Sequence, residues 1–297
     1  MIINSANLAS LFTGFRTIFN QAFAGAPSEW QKVAMLVPST TAQEVYAWLG
    51  KTTRFREWIG DRVIQNLKSH DFTIRNKKFE DTVGVQRDAI EDDQYGVYSP
   101  MIAQLGQDAK THPDELIFAL LAAGFTGKCY DGQYFFDADH PVEQADGSTS
   151  SVSNLTAGTS TPWFLLDMSR MVKPMIFQKR KDYKFAALNK DTDENVFMRD
   201  EYLYGVDARC NVGFGLWQLA HGSKADLDAD SFNAAYAAMQ NIKGDHGRPL
   251  GIKPTLLVVP PNLRTAALEI AKAERDAYGA TNINRDAVEV LVTPWLA

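Results

Sequence analysis

Asp137-Ala138-Asp139-His140-Pro141 is the stretch of this 297-residue chain where groups capable of chemistry stand closest together. Two carboxylates beside an imidazole could bind a metal ion or act as general acid and base. The same residues also favour an Asx-turn network that only shapes a loop, since Asp and Pro both set turn geometry. That simpler reading is adopted here. The five histidines, His70, His112, His140, His221 and His246, share no ligand spacing. Cys129 and Cys210 form no Cys-x-x-Cys pair and cannot make a disulfide framework. Asp226-x-Asp228-x-Asp230 copies the start of a calcium loop, but Ser231 replaces its Gly and Ala237 its bidentate Glu. Helix capping by Asp230 or Ser231 explains it better. A phosphate loop ending at Gly127-Lys128 would need Gly at Ala122 and Ser or Thr at Cys129. Gly213-Phe214-Gly215 lacks the third Gly of a dinucleotide fingerprint, and neither Gly-x-Ser-x-Gly nor His-Glu-x-x-His occurs. No catalytic residue, cofactor site or metal site is expected, so the chain reads as a non-enzyme.

The elements that would carry these residues follow from periodicity. Tyr202, Tyr204, Val206, Ala208, Cys210, Val212, Phe214 and Leu216 occupy every second position, with polar residues or Gly between most of them. This predicts a long strand with one buried face, bent at its glycines, and puts Cys210 in packing. Ser99-Pro100 predicts a helix start with Ser99 as cap, carrying Ile102, Leu105, Ala109, Leu116 and Leu120. Pro113 either kinks this helix or opens a second one. Leu8, Leu11, Phe12, Phe15, Ile18 and Phe19 predict an N-terminal helix, docked on its own core or reaching a neighbour. Residues 36–86 read as a strand at Val45–Leu49, a polar excursion and a second alternating stretch from Phe72 to Val85. This is a hairpin-like projection with too few apolar groups for a core of its own. Further helices are expected at Phe232–Ile242 and Leu263–Ala271, with short strands at Pro254–Pro261 and Val288–Val292. Strands and helices mix without βαβ repetition, which is an α+β pattern.

Composition limits the partners. Hydrophobic residues make up 45% and charged residues 22%, an ordinary globular balance. Leu116–Phe125, the longest strongly apolar run, is only about half a bilayer span, so no membrane association is expected. The N-terminus lacks a basic n-region and cleavage site, so a reducing cytoplasm is the expected place of synthesis. Lys and Arg total 30 against 36 Asp and Glu, a net charge of −6, and no third of the chain is net basic. Dedicated nucleic-acid binding, which depends on neutralising phosphates, is therefore not expected. The one basic cluster, Lys179-Arg180-Lys181 with Lys184, is offset by Asp182 and Asp191 and reads as a solvated face or subunit contact.

Several stretches together resemble the Mu-like phage major head subunit (T protein) family. They include Val45-Tyr46-Ala47-Trp48-Leu49-Gly50, Val83-Gly84-Val85-Gln86-Arg87 through Glu91-Asp92-Asp93, Pro113-Asp114-Glu115-Leu116-Ile117-Phe118 and Cys129-Tyr130-Asp131-Gly132. Pro162–Asp167, Asp193–Arg209, Pro254–Pro261 and Val292-Thr293-Pro294-Trp295-Leu296 continue the match in the same order. The resemblance implies an HK97-like capsid fold. Residues 1–35 would be the N-arm, 36–86 the E-loop, 87–205 the peripheral domain with its spine helix, and 206–297 mainly the axial domain. The last strand is expected to return toward the peripheral domain.

The implied function is a major capsid protein that assembles into hexamers and pentamers of an icosahedral head enclosing double-stranded DNA. With only about 35 residues before the E-loop, the resemblance implies a separate scaffold protein and maturation protease, besides a portal and, optionally, a decoration protein. Assembly would take place in the host bacterial cytoplasm and end in the virion. Basic Lys51, Arg54, Arg56 and Arg62 are expected to meet acidic Glu91, Asp92 and Asp93 of a neighbouring subunit. Two alternatives stay open: an encapsulin-like cargo shell, and a metal-dependent enzyme using Asp137, Asp139 and His140.

Overall fold

The alternation beginning at Tyr202 is a single long strand in the computed structural model, which describes residues 2–46, 49, 72–92, 94–144, 146–190, 192–276 and 278–297. In chain order the first elements are α1 (Ser5–Gly25), β1 (Ala34–Pro38), β2 (Gln43–Val45), β3 (Thr73–Arg75), β4 (Lys77–Gln86), α2 (Arg87–Glu91) and α3 (Ser99–Ala122). Next come β5 (His140–Glu143), β6 (Thr149–Val152), β7 (Leu155–Thr156), β8 (Trp163–Leu166), β9 (Met175–Leu188), α4 (Glu194–Arg199) and β10 (Glu201–Phe214). The chain closes with β11 (Ala220–Ser223), α5 (Ala229–Gln240), the short pair β12 (Lys243–Gly244) and β13 (Arg248–Pro249), β14 (Leu256–Val259), α6 (Arg264–Ala271) and β15 (Glu289–Val292). The fold class is α+β. No helix among the described residues is long and apolar enough to cross a membrane.

Two sheets organise the chain. The first has the order β1-β9-β10-β4, with β10 antiparallel to both neighbours and β1 parallel to β9. Along β10 burial alternates as the sequence pattern requires, with Tyr202, Tyr204, Val206, Ala208 and Cys210 all buried. The irregularity in β10 is not at its glycines. Its register against β9 slips between Asp207 and Cys210, where the basic cluster loops out: Asp207 faces Lys184, Arg209 faces Lys181 and Cys210 faces Lys179.

Helices α3 and α1 cover that buried face. Ile102, Leu105 and Ala109 of α3 join Leu8, Leu11, Phe15 and Phe19 of α1 around Tyr202, Tyr204 and Val206. Phe15 meets Tyr204 edge-on at 5.0 Å, and Phe19 stacks on Phe185 at 5.1 Å. The N-terminal helix thus docks on its own chain. Gly106 permits the approach, since a Cβ there would lie 2.6 Å from the Phe19 carbonyl oxygen. Helix α3 runs unbroken through Pro113. Its cap is Tyr98 with no side-chain hydrogen bond, so Ser99 is already inside the helix and not its cap. Directly after Pro113, the buried Asp114 accepts the backbone N–H groups of Glu29 and Trp30, both at 2.6 Å. This ties the segment after α1 to the middle of α3.

The second sheet has the order β15-β14-β8-β11-β7, and its central strands β8 and β14 are buried at every position. Phe232, Ala235 and Met239 of α5 and Ala267, Ile270 and Ala271 of α6 belong to the same core. That core reaches the first sheet through Phe135, which stacks on Phe214 at 4.5 Å. The cap of α5 is Asp228, which accepts the Ser231 N–H at 2.7 Å, in place of the expected Asp230 or Ser231.

Four features of the sheets bear on the expected segments. The 205/206 division falls inside β10, which pairs with β9 and β4 on both sides of it. Strand β8, expected in the peripheral part, lies between β14 and β11 of the second sheet. The last strand β15 stays beside β14, and the turn Pro294–Leu296 after it packs on α3. Finally, 36–86 is not one projection. β1 and β4 belong to the first sheet, and β4 pairs with β10 from Lys77 to Gln86. The small β2–β3 pair stands at the base of the excursion; the expected strand at Val45–Leu49 ends at Val45, and residues 47, 48 and 50–71 lie outside the described residues.

Met239 is fully buried, whereas Tyr236 lies at the core's edge. Met239→Asp should cost several kcal/mol, roughly 3–5, by burying an unpaired carboxylate, and leave the protein insoluble. Tyr236→Asp should be milder. The soluble fraction and urea unfolding midpoints of the two variants test this order.

Candidate functional site

The sequence Cys129-Tyr130-Asp131-Gly132-Gln133 dictates a tight turn. Gly132 takes φ +90°, the Gly132 N–H donates to the Cys129 carbonyl at 3.1 Å, and the Cys129 N–H to the Gln133 carbonyl at 2.8 Å. Side chains 129 and 131 converge there. The Cys129 thiol donates to Asp131 Oδ1 at 3.0 Å, and Asp131 Oδ2 lies 2.8 Å from His140 Nδ1. His140 opens β5 fully buried, its ring stacked on Trp217 with centroids 3.9 Å apart. Its Nε2 lies 3.2 Å from Asn154 Oδ1. Asn154 is buried as well and donates its amide protons toward the carbonyls of Phe135, Trp217 and Ala220.

Electrostatics keep this cluster quiet as a nucleophile. Burial, followed by the Asp131 charge, pushes the Cys129 thiol far above its ordinary range, so it stays protonated. Burial opposes the Asp131 charge, but its contacts with His140 and Cys129 outweigh it and hold that carboxyl below its usual value.

Of the expected group Asp137, Asp139 and His140, the two carboxylates stay together and the His140 ring turns away. Asp137 accepts the N–H groups of Tyr134 at 3.1 Å and Ala138 at 2.7 Å, the turn network anticipated from sequence. Asp139 is exposed, its carboxyl raised by the hydrogen bond and charge shared with Asp137. His140 instead turns inward to Asp131 and Cys129, neither of which the sequence reading had singled out. Among the described residues, these three bring Cys, Asp and His ligand atoms within 4.8 Å of one another. The signal available in sequence was a Cys two residues before an Asp-Gly turn. Asp226, from the apparent calcium loop, accepts the Ser160 hydroxyl at 2.5 Å.

Of the expected interface residues, Lys51, Arg54, Arg56, Arg62 and Asp93 lie outside the described residues. Glu91 and Asp92 end α2 in exposed positions, and Arg87 Nε stands 3.3 Å from Glu91. The basic cluster is held within its own sheet: Lys179 pairs with Asp182 at 3.0 Å, Lys181 with Asp207, and Arg180 donates to the Ser39 carbonyl at 3.3 Å.

Apolar groups that the sequence reading missed stand in the open. On α4, Phe197 and Met198 are 82% and 70% exposed, and Leu188 at the end of β9 is half exposed. Between α6 and β15, Tyr278 and Ile283 are 96% and 85% exposed.

The sequence profile of the family described as Mu-like prophage major head subunit gpT matches residues 8–296. The major head subunit of the Mu-like prophage FluMu of Haemophilus influenzae is 45% identical over 284 residues, covering 93% of this chain and 92% of that protein. The major capsid protein of Escherichia phage Mu is 43% identical over 292 residues, 96% of each. A chain of the bacteriophage JBD30 procapsid matches with a TM-score of 0.87 and 50% identity, covering 99% of this chain and all of the other. Sequence and architecture agree along the whole length, and the chain belongs to the Mu-like prophage major head subunit gpT family, phage capsid subunits of HK97-like fold and not enzymes.

Proposed function

We propose that this chain assembles with copies of itself, as hexamers and pentamers, into the icosahedral head of a Mu-like tailed bacteriophage that encloses double-stranded DNA. Family membership over residues 8–296 carries the reading. It also sets aside the cargo-shell and metal-enzyme alternatives. The net charge of −6 suits a wall that encloses DNA without gripping it, because a basic lining would hold the genome through counterion release. Assembly proceeds in the host bacterial cytoplasm on a separate scaffold, around a portal. A maturation protease and a decoration protein act on the growing or finished shell.

Two contacts are proposed between neighbours. The first uses the exposed apolar groups of α4. Phe197→Asp with Met198→Asp should leave the subunit folded, since exposed substitutions usually shift stability by only about 0.5 kcal/mol. Shell yield should collapse. Circular dichroism and negative-stain microscopy, with and without scaffold, read the two effects separately, and normal shells from the double variant would remove α4 from the contact.

The second pairs Lys51, Arg54, Arg56 and Arg62 of the E-loop with Glu91, Asp92 and Asp93 of the adjacent subunit. Exposed ion pairs are worth about 0–1 kcal/mol each and are screened by salt. Symmetry repeats them at every subunit, which makes small terms decisive for closure. Arg54→Glu with Arg56→Glu should therefore give folded, assembly-defective protein, and Asp92→Lys with Asp93→Lys should partly restore shells. Normal assembly of the double-Glu variant at low salt refutes the basic contact. Loss without rescue rejects the acidic partner alone.

A further inference from the structure

The hydrogen bonds around His140 leave one account open. Asn154 donates through Nδ2 to three backbone carbonyls, at 2.8, 3.3 and 3.2 Å, and its Oδ1 accepts the Asp137 N–H at 2.9 Å. A carbonyl cannot donate, so these partners fix the amide with oxygen toward His140. The contact of that oxygen with His140 Nε2 then requires the ring proton on Nε2. In neutral imidazole the other nitrogen, Nδ1, is a bare lone pair. It faces Asp131 Oδ2 at 2.8 Å, and the other oxygen of that carboxylate already receives Cys129 and the Gln133 N–H. Two acceptors at this distance repel unless positive charge lies between them. A second ring proton supplies it, and so does a cation.

The third group favours the cation. Cys129 Sγ donates to Asp131 Oδ1 and also lies within 4.8 Å of both other ligand atoms, so three metal-ligating groups converge on one point. Thiolate and imidazole select a borderline-soft transition ion and disfavour calcium or magnesium, which take oxygen ligands. A metal-bound imidazole commonly donates its remote N–H to a carbonyl or carboxylate, as His140 does to Asn154. Charge balances too: one thiolate and one carboxylate neutralise a divalent ion, so the fully buried His140 site would carry no net charge.

We propose that Cys129, Asp131 and His140 form a zinc site, with His140 Nδ1, an Asp131 oxygen and Cys129 Sγ as ligands and a water in the fourth position. Binding replaces the thiol proton by the metal and releases that proton to solvent. Tetrahedral zinc separates its ligand atoms by roughly 3.3–3.6 Å, so with Oδ2 as the Asp131 ligand its 2.8 Å contact with His140 Nδ1 opens by about half an ångström, and Cys129 Sγ exchanges Oδ1 for the metal. The site staples the 129–133 turn to β5 against Trp217, at the seam of the two sheets. It stands independently of the head-assembly reading.

The test uses full-length protein purified without chelators. Zinc measured by mass spectrometry and by release to a chromophoric chelator should be about one ion per chain. Cys129→Ser and His140→Gln should each weaken zinc binding by about 100-fold or more. Asp139→Ala, at the exposed neighbour, should bind as the parent does. Should the buried variants fail to fold, chelator-stripped parent protein titrated with Co²⁺ should show a thiolate-to-cobalt charge-transfer band. Folded parent that takes up neither zinc nor cobalt, with nuclear magnetic resonance showing His140 protonated on both nitrogens, overturns the proposal in favour of a plain ion pair.

Discussion

Strand β10 must have one face covered from Tyr202 to Cys210, and the rest of the architecture follows from that. Each large apolar side chain on it gains about 1.5–3 kcal/mol by leaving water, so an uncovered face would cost a large share of a domain's net stability. The chain meets the demand by laying α3 across the strand and α1 beside α3. Backbone pairing to β9 and β4 fixes where the strand lies; helix cover fixes which way it faces. Gly106 and Asp114 are the local devices that make this possible. One lets two helix backbones approach, and the other fastens the segment leaving α1.

The second sheet solves a different problem. Strands β8 and β14 are apolar on both faces and need cover above and below. Helices α5 and α6 contribute to one continuous core, together with the aromatic residues Phe135 and Phe136 just after the 129–133 turn. The 129–140 segment therefore lies where the two sheets meet, and its polar cluster sits against packed aromatics. A polar group placed there must be fully partnered or it destabilises the seam. Asn154, with its hydrogen bonds to three carbonyls from two separate backbone segments, fills that requirement.

What could be read from sequence follows from which interactions leave a mark on side chains. The period of β10 was legible because burial alternates along it. The sheet membership of β4 was not, because it is made by backbone hydrogen bonds while most of its side chains face water. Its polar pattern therefore suggested a projection. At α5, three aspartates in alternation all had capping chemistry, and only the backbone turn selects Asp228. The 137–140 cluster misled for a related reason. Asp139 and His140 are adjacent in sequence, yet at the start of β5 neighbouring side chains point to opposite faces, so His140 turns inward and Asp139 outward. Its true partners, Cys129 and Asp131, come from a turn whose closure no periodicity announces. The family resemblance carried function further than any local motif, since it integrates many weak matches in order along the chain.

A shell subunit faces a conflict that this fold resolves by location. Its interior has to be rigid, because angular error repeated over a closed lattice prevents closure. Its edges have to bind weakly, so that misplaced neighbours dissociate before they are locked in. Rigidity is concentrated in the covered β10 face and in the aromatic seam, where burial is complete. Among the exposed apolar groups, Phe197 and Met198 stand on α4, and Tyr278 and Ile283 on the segment between α6 and β15. Helix α4 spans only Glu194–Arg199 and cannot order itself in isolation. It holds its shape by attachment to β10, through the Asn195 side chain donating to the Glu201 carbonyl at 2.6 Å and through buried Val196. The stiff strand thus fixes where α4 presents Phe197 and Met198.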